Sequence, residues 1–519
     1  MTEQTLYFRI TAATPLHVGC DEVYEPTSFV LDADARELVS FETTSFLELL
    51  DSDALEKFST ICRKGTIVSL LELLRFMRDH AELADGRRVT VPQPFIDHYE
   101  ETLRLPPQER RVQQELNNFK IMRTAFDPLT NTAYLPGSAI KGAIRTAVLN
   151  SRHRRRPRPA KQYEFMKPGD IAREARNLEK QLTGGAFETD PFRLLKVSDF
   201  FPISQSKCSV AYAIDRKKTP SKFESQAPYQ ILETVDPGVE FVGSISLLPL
   251  PGRGADIKEP LTWDEIFKSL STFFGYEKQR EDQELAVISI KSVELSSGTQ
   301  SFPLRIGRHS GAESVTITGH RCIKIMQGKG NPPKTLDHAT TVWLSASEKK
   351  PSANGGLLPF GWTTFQRLNW AEGVELFGAA KAHKDGIIEK QSNKASERKR
   401  REEELAHAQA ARQQEEEKKK AREAAEEEAR IAAEKRENEA LAAMSEAERQ
   451  AHLIRKDGTP ENEIVDIYNR LDQFELADRK LIAEALKSYW QLHDKWNVKK
   501  KQIKQWDKVN KVKAILEAS

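Results

Sequence analysis

The spacing of apolar residues changes along the chain and predicts strands first, helices next, and then a mixture of both. Residues 5–13 alternate in the manner of a β-strand, and residues 28–41 predict a β-hairpin that turns at 32–35. From about residue 44 to 125 the apolar positions recur with helical spacing. We therefore expect a helical insertion within a fold that begins with strands.

A second segment of mixed character follows at residues 226–388. Residues 229–247 predict a β-hairpin that turns at Asp236–Gly238, and residues 262–276 predict a helix. We therefore predict an α+β fold with an N-terminal half at 1–225 and a second half at 226–388.

The last part of the chain is helical and highly charged. Residues 389–458 consist mainly of Ala, Glu, Lys, Arg and Gln, and they predict a solvated helical spacer supported by Glu–Lys and Glu–Arg pairs four residues apart. Residues 459–519 regain apolar spacing and predict a small helical hairpin rich in Lys and Trp. Its lysines predict either a contact with RNA or an acidic partner, or simply a solvated face. A third hypothesis makes the whole tail a helical adaptor.

The composition of the chain argues against several classes of protein. The 519 residues carry 79 Lys and Arg against 77 Asp and Glu, so the net charge of +2 does not identify a partner. The four cysteines form no C-x-x-C pair, which argues against a zinc ribbon or a disulfide framework. No apolar run approaches the roughly 20 residues of a membrane helix. We expect a cytoplasmic protein without membrane contact, metal or cofactor.

The segment Tyr134–Leu149 predicts a glycine turn followed by a helix that carries cations. Ser138 is predicted to cap the helix, Gly142 lies in its second turn, and Lys141 and Arg145 lie on one side of it. The order of residues does not fit the G-x-x-x-x-G-K-[ST] pattern of nucleotide-binding loops, which disfavours ATP hydrolysis. The alternatives are a phosphate-binding helix and an ordinary amphipathic helix.

Two further basic segments follow this helix. Residues 152–161 include Arg154 and Arg155 and predict an exposed loop that is either a solvated linker or a contact with nucleic acid. The segment Asp190–Asp199 contains Arg193 and Lys196 and predicts a strand with a cationic face.

A glycine-rich loop is predicted between strands at 304–317. Gly307 permits close approach of a ligand to the backbone, and arginine suits phosphate geometrically. A tight hairpin with exposed charges is the alternative. The candidate binding residues of this loop are Arg305, Gly307, Arg308, His309 and Ser310.

Taken in order, the segments Thr14–Gly19, Leu135–Thr146, Asp190–Asp199 and Leu304–Gly311 resemble the RAMP superfamily of CRISPR-associated proteins. The resemblance spans about residues 5–375. More narrowly, the chain resembles the terminal RAMP subunit of type III-A (Csm) effector complexes.

This resemblance implies two ferredoxin-like (RRM-like) halves and a sequence-independent hold on the CRISPR RNA (crRNA), whose 3' end such a subunit caps. It implies that the cationic helix, the glycine-rich loop and His17 contact the RNA backbone. The implied partners are crRNA, target RNA near the 3' region of the guide, the repeated backbone RAMP subunit, the small helical subunit and a host nuclease that trims the guide.

Catalysis by this chain is not predicted. Repeated RAMP subunits of these complexes carry a cleaving aspartate in the loop after the His-x-Gly turn, where this chain has Cys20–Ser28 with Glu25 before the proline. The alternative hypothesis is a metal-dependent endoribonuclease that uses Asp21, Glu22 and His17 as metal ligands and general base.

Overall fold

The computed structural model describes residues 4–106, 109–157, 166–220, 228–250, 257–296, 300–327 and 330–518. The chain forms two compact units, Met1–Lys394 and Ala395–Ser519. No helix among the described residues is both long enough and apolar enough to cross a bilayer.

The strands of the described residues are β1 (Gln4–Ala12), β2 (Gly19–Val23), β3 (Phe29–Asp32), β4 (Glu37–Ser40), β5 (Arg87–Thr90), β6 (Ile121–Thr124), β7 (Phe126–Asp127), β8 (Thr132–Ala133), β9 (Leu195–Val197), β10 (Phe201–Pro202), β11 (Cys208–Lys217), β12 (Gln230–Val235), β13 (Glu240–Leu247), β14 (Ser301–Arg305), β15 (Ile323–Ile325), β16 (Lys334–Leu336), β17 (Thr341–Ala346), β18 (Leu358–Pro359) and β19 (Trp362–Arg367).

The α-helices of the described residues are α1 (Thr43–Leu47), α2 (Ser52–Lys64), α3 (Ile67–Asp79), α4 (Gln93–Leu103), α5 (Glu109–Asn118), α6 (Gly137–Arg155), α7 (Pro168–Thr183), α8 (Trp263–Val287), α9 (Trp370–Ala443), α10 (Glu446–Arg455), α11 (Glu461–Asn469), α12 (Leu476–Leu492) and α13 (Ile503–Glu517).

Two large sheets form the frame of the first unit. The first has the order β10-β13-β1-β19-β14, with β9 also beside β13, and its strands pair antiparallel. The second has the order β2-β6-β12-β11-β5-β4-β3, with β17 and β18 joined to it through β11. The prediction of a mixed helix-and-sheet fold is confirmed. The ferredoxin-like character of each half stays a prediction.

The predicted hairpin at 229–247 is wrong. Its two strands belong to different sheets, since β12 pairs with β11 and β6 while β13 pairs with β1. Gly238 turns the chain between the sheets with a φ of +90°. Both sheets also combine strands from before and after residue 225, so the sheets do not divide at the predicted boundary between the halves.

The predicted helical insertion contains α1 to α5, but it also contains two strands, β5 between α3 and α4 and β6 after α5. Strand β5 pairs antiparallel with β4 and also meets β11, so this part of the insertion belongs to the second sheet. The hairpin predicted at 28–41 is confirmed as β3 and β4. The Asp32 carboxylate accepts a hydrogen bond from the Ala35 amide in its turn at 2.9 Å.

Helices α6 and α8 bury apolar side chains in the main core of the first unit. Ile140 and Ile144 of α6 are fully buried there, and Phe8 of β1 stacks on Phe365 of β19 with 4.4 Å between the ring centroids. Burying one such side chain contributes about 1.5–3 kcal/mol. This packing fixes the helix, so that its outer side faces solvent in a defined orientation.

The second unit differs from the predicted helical hairpin. Four helices, α10 to α13, share one apolar core that includes Ile454, Leu471, Leu486 and Trp490. Helix α10 precedes residue 459, so the predicted boundary at 458/459 lies inside this bundle. The local apolar pattern predicted helices there, but it did not show that α10 packs against α12.

Candidate nucleic-acid interface

Helix α6 begins at Gly137 because the chain there passes directly against another segment. A Cβ on residue 137 would lie 2.5 Å from the Ser198 carbonyl oxygen, so only glycine fits. The Gly137 amide donates a hydrogen bond to Asp199 Oδ1 at 2.8 Å. Ser138 is exposed and is the second residue of the helix, so the expectation that it caps the helix is wrong. A carboxylate already satisfies the first amide, which disfavours a phosphate at that point.

Further along α6, an open cleft of about 630 Å³ brings together two of the predicted basic segments. Lys141 and Arg145 line it from α6, and Arg193 and Lys196 line it from the segment that contains β9. We call this feature the basic cleft. Of the described residues that line it, four are cationic and one, Asp190, is anionic. The excess of positive charge favours an anionic ligand there.

Arg145 is held in place by carboxylates of the same chain. Its Nε donates to Glu179 at 3.0 Å, its second guanidinium nitrogen donates to Asp190 at 2.9 Å, and the guanidinium lies 4.7 Å from the Phe192 ring centroid. Burial opposes the charge, but Glu179 and Asp190 outweigh this and raise the pKa of Arg145. Arg145 therefore shapes the wall of the cleft, with much of its hydrogen-bonding capacity already used.

Lys141 is half-buried beside Arg145. Its Nζ donates to the Leu195 carbonyl oxygen at 2.8 Å. Burial, followed by the charge of Lys196, lowers the pKa of Lys141. A bound anion would relieve this repulsion, so Lys141 gains more from a phosphate than an isolated surface lysine does.

The rim of the basic cleft is exposed. Arg193 and Lys196 point to solvent, and the Arg193 guanidinium lies 5.0 Å from the ring centroid of Phe187, whose side chain is 74% exposed. Gly142 is also exposed, and a Cβ on it would meet nothing within 4 Å. The fold itself therefore leaves room for a larger residue at position 142.

The basic run after the cationic helix is not the expected loop over its first residues. Residues 152–155 belong to α6, and Arg152 is buried with its Nε 3.0 Å from Glu265 Oε1. Arg155 also pairs with Glu265, while Arg154 is exposed. Residues 158–161 of the predicted loop lie outside the described residues. Two of these arginines thus stabilise the packing of α6 on the start of α8.

Two sequence-distant segments meet at the glycine-rich loop. The Arg308 amide donates to the His17 carbonyl oxygen at 2.8 Å, and the Ser310 hydroxyl donates to the Gly307 carbonyl oxygen at 2.8 Å. Gly307 has a φ of +88° and lies against His17. The strand predicted after the loop is wrong, because a 3-10 turn at Glu313–Val315 takes its place.

His17 is a buried residue of this junction. It is 1% exposed, and its Nδ1 is 2.7 Å from the Glu233 carbonyl oxygen. Burial lowers its pKa, with Arg308 acting in the same direction. Among the described residues its Nε2 has no hydrogen-bond partner. His17 therefore supports the loop from within the fold, and its contact with RNA stays a prediction.

His309 adopts a left-handed backbone conformation, with a φ of +61°. Its Nε2 lies 3.2 Å from Gln230 Oε1, and its ring centroid lies 4.5 Å from that of Trp343. Burial and the neighbouring Arg308 lower the pKa of His309 to about 3. The ring is therefore neutral at physiological pH, and the exposed Arg308 carries the charge of this loop.

Arg305 does not lie at a surface. It is 3% exposed, its guanidinium forms an ion pair with Glu281 at 2.6 Å, and its Nε donates to the Phe360 carbonyl oxygen at 3.0 Å. The Trp362 ring centroid lies 4.9 Å from the guanidinium. This corrects the expectation that Arg305 is available to a phosphate, because reaching one would break a buried ion pair.

The acidic turn proposed as a metal site does not form a ligand cluster. Glu22 lies 3.9 Å from the Arg123 guanidinium, and Asp21 is exposed with a φ of +60°. Within the described residues, no group of three or more His, Cys, Asp or Glu side chains is arranged to hold a metal ion. The burial of His17 also removes it from solvent. The arrangement gives no support to the nuclease hypothesis.

The sequence pattern does not identify three further residues around α6 and the basic cleft. Asp199 caps α6, Glu179 of α7 pairs with Arg145, and the exposed Phe187 lies beside Arg193. The segment Asp190–Asp199 attracts attention in the sequence for its cations, and its final aspartate is the available signal for a cap. Nothing in the local pattern pointed to Glu179 or Phe187.

The chain is similar in sequence to a known protein. The CRISPR system Cms protein Csm5 of Methanocaldococcus jannaschii is 29% identical over 202 residues, which are 38% of this chain and 42% of that protein. The chain thus matches less than half the length of this relative.

Two solved structures resemble part of this chain, both with a TM-score below 0.5. One is a chain of the Csm-crRNA-target RNA ternary complex of a type III-A CRISPR-Cas system, with a TM-score of 0.45 and 18% identity, covering 70% of this chain and 100% of that one. The other is the crystal structure of T. onnurineus Csm5, with a TM-score of 0.37 and 16% identity, covering 59% of this chain and 92% of that one.

The family model of the RAMP superfamily matches residues 9–312, which is more than half of the chain. The match includes His17, the basic cleft and the glycine-rich loop. The chain therefore belongs to the RAMP superfamily.

Proposed function

We propose that this protein is a crRNA-binding subunit of a type III-A (Csm) CRISPR effector complex. The observation that carries the proposal is the basic cleft, where Lys141, Arg145, Arg193 and Lys196 converge from two distant segments. Arginine and lysine bind phosphate through charge and hydrogen bonds without reading a base. Such a surface suits a guide RNA whose sequence differs from one complex to the next.

The proposal extends to the position of the subunit and to its role. The chain holds the 3' region of the guide, next to the repeated backbone RAMP subunit, the small helical subunit and target RNA. It thereby limits how far a separate nuclease trims the crRNA intermediate. The similarity to a Csm5 relative supports this placement. Cleavage is assigned to a partner, since Glu22 lies beside Arg123 and His17 is buried.

Arg193 and Lys196 are the best residues for a test, because both are exposed while Arg145 is tied into the fold. The double variant Arg193→Gln/Lys196→Gln removes two charges from the rim of the cleft. Its matched control is Lys120→Gln/Lys291→Gln, which removes two exposed charges outside the lining of the cleft.

The measurement is the affinity of the purified full chain for labelled single-stranded RNAs of unrelated sequence, as a function of salt. The slope of log affinity against log salt changes by about 0.7 for each phosphate contact on a single strand. We expect the rim variant to lose roughly 1.4 units of slope for every RNA tested, while the control keeps the parental slope. A loss confined to one sequence, or equal in both variants, would refute the proposal.

Gly142 provides a second arm of the same experiment. Alanine at position 142 meets no atom within 4 Å and favours a helix over glycine by roughly 0.5–1 kcal/mol, so stability is expected to hold or rise. A long side chain in Gly142→Gln would enter the space beside the cleft. We expect Gly142→Gln to weaken RNA binding without lowering the melting temperature. Unchanged binding would place the RNA elsewhere.

A further inference from the structure

The second unit concentrates positive charge in one short region. Between positions 487 and 513 there are nine lysines and two aspartates, a net charge of +7, whereas the whole chain carries +2. Repulsion within such a set opposes folding unless an anion offsets it. The region comprises the end of α12, the turn that follows it and most of α13.

Four of these lysines follow one line, which we call the lysine stripe. Lys504, Lys508 and Lys511 recur on α13 at spacings of four and three residues, and Lys501 lies just before the helix. Side chains at this spacing lie on one face, about 5–6 Å apart at their Cβ atoms. A neighbouring side of α13 buries Val509 and Val512 in the core of the bundle. The stripe is therefore held on a rigid element.

Aromatic rings order the stems of several of these lysines. The Nζ atoms of Lys508 and Lys511 lie 5.3 and 5.4 Å from the ring centroid of Tyr468, and Nζ of Lys500 lies 5.6 Å from that of Trp506. Rotamer entropy lost on folding is not lost again on binding, so an ordered lysine binds at a lower entropic cost. Lys511 also pairs with Asp472 at 2.6 Å, which leaves the other end of the stripe as its more open part.

An open groove adjoins that end of the stripe. It has a volume of about 540 Å³ and is lined by Lys495, Lys501 and Lys504, by the amides of Gln502 and Gln505, and by a single carboxylate, Asp494, among the described lining residues. Lys495 already pairs with Glu461, and the Gln505 amide donates to the Lys495 carbonyl oxygen at 3.2 Å. Lys501 and Lys504 therefore offer charge, and the Gln502 amide offers hydrogen bonds, to phosphate or ribose oxygens. The groove and the stripe form one continuous cationic surface.

We propose that this surface is a second RNA-binding site, which takes the backbone of a single-stranded RNA. The choice of RNA rests on the proposed function, because that function already places RNA on this chain. A helix ridge does not fit the deep, narrow major groove of an RNA duplex, whereas a single strand can follow a cationic groove. Trp496 is 8% exposed and Tyr468 is 9% exposed, so base stacking on these rings is not part of the site.

The test uses the full chain with Lys501→Gln/Lys504→Gln/Lys508→Gln, three positions of the lysine stripe. The matched control is Lys418→Gln/Lys419→Gln/Lys420→Gln on α9, which removes the same charge from the same unit. Binding is measured for single-stranded RNA, for duplex RNA of the same length and for polyglutamate as competitor. Helicity and melting temperature verify that each variant is folded.

We expect the stripe variant to lose about 2 units of salt slope for single-stranded RNA, from three lost contacts at roughly 0.7 each. The control is expected to keep its slope, and the charge-conserving triple Lys→Arg variant is expected to keep its binding. Equal slopes in stripe variant and control would overturn the inference. A preference for duplex RNA, or equal competition by polyglutamate, would also overturn it.

The rim variant of the basic cleft separates this inference from the proposed function. If only the rim variant loses slope, the cleft binds RNA and the second site is refuted. If only the stripe variant loses slope, the second site stands and the proposed role of the cleft fails.

Discussion

Gly307 lies against His17 so closely that a Cβ on residue 307 would be 2.4 Å from the His17 carbonyl oxygen. The next amide, that of Arg308, donates to the same oxygen at 2.8 Å. The contact joins the start of the chain to the glycine-rich loop across roughly 290 residues of sequence. It is made by backbone atoms, which cannot rotate away from a clash as a side chain can.

We predict that Gly307→Ala destabilises the protein more than its backbone conformation alone explains. The left-handed conformation costs a non-glycine residue about 1–3 kcal/mol, and the clash with His17 adds to this. Gly238→Ala is the matched control, because Gly238 has a φ of +90° and a Cβ there meets nothing within 4 Å. Chemical denaturation of both variants measures the difference. Equal losses would show that the loop moves away from His17 at little cost.

We predict that Glu281→Gln lowers the free energy of unfolding by about 3–5 kcal/mol, because it leaves the Arg305 guanidinium charged and unpaired in the core. Arg305 and Glu281 are both nearly inaccessible, and the Trp362 indole nitrogen also donates to Glu281 at 2.5 Å. The control is Glu240→Gln, since Glu240 pairs with Arg9 at 3.5 Å and is 41% exposed. Such an exposed pair contributes at most about 1 kcal/mol.

Urea denaturation at neutral pH measures both variants. A cost for Glu281→Gln as small as that for Glu240→Gln would mean that water reaches Arg305. That result would return Arg305 to the set of residues available to RNA.

We predict that Glu313 makes stability depend on pH in the acid range. Burial would raise its pKa, but Lys218 at 2.7 Å, the Ala339 amide at 2.9 Å and Arg280 together lower it to about 2. The folded state therefore binds the Glu313 proton more weakly than the unfolded state. This contribution is complete above about pH 5 and is lost as the pH falls towards 2, with a total of roughly 3 kcal/mol.

The measurement compares the unfolding free energy of the parent and of Glu313→Gln between pH 6 and pH 2.5. Protonation of the buried His309 also destabilises the folded protein in acid, because burial lowers the pKa of His309 to about 3. Its effect is common to both proteins and cancels in the difference. We expect the two curves to converge as the pH falls, and parallel curves would contradict the prediction.

Local pattern was sufficient for the elements whose stability is set by neighbours in sequence. The alternation at 5–13 became β1, the turn residues at 32–35 closed β3 and β4, and the helix predicted at 262–276 begins at Trp263 after its Thr262 cap. Periodicity reports which face of an element is buried. It does not report which element covers that face.

The same limit explains the errors. Residues 229–247 have the alternation and turn of a hairpin, yet β12 and β13 enter different sheets, because strand pairing is decided by partners such as β1 and β11. Arg305 and Arg308 are three residues apart with the same chemistry. Arg305 is buried because it pairs in the core with Glu281, which lies 24 residues before it, whereas Arg308 stays exposed.

The order of charges and glycines along the chain thus established that cations suited to a polyanion were present and where they lay in sequence. The tertiary structure decides which of these groups remain available to a ligand. Asp199 accepts a hydrogen bond from the first amide of α6, and Glu265 pairs with Arg152 and Arg155. Lys141, Arg145, Arg193 and Lys196 line the basic cleft. The reason is that a charge acts over a few ångströms of space. Which charges become neighbours depends on contacts between residues far apart in sequence, and no local pattern contains that information.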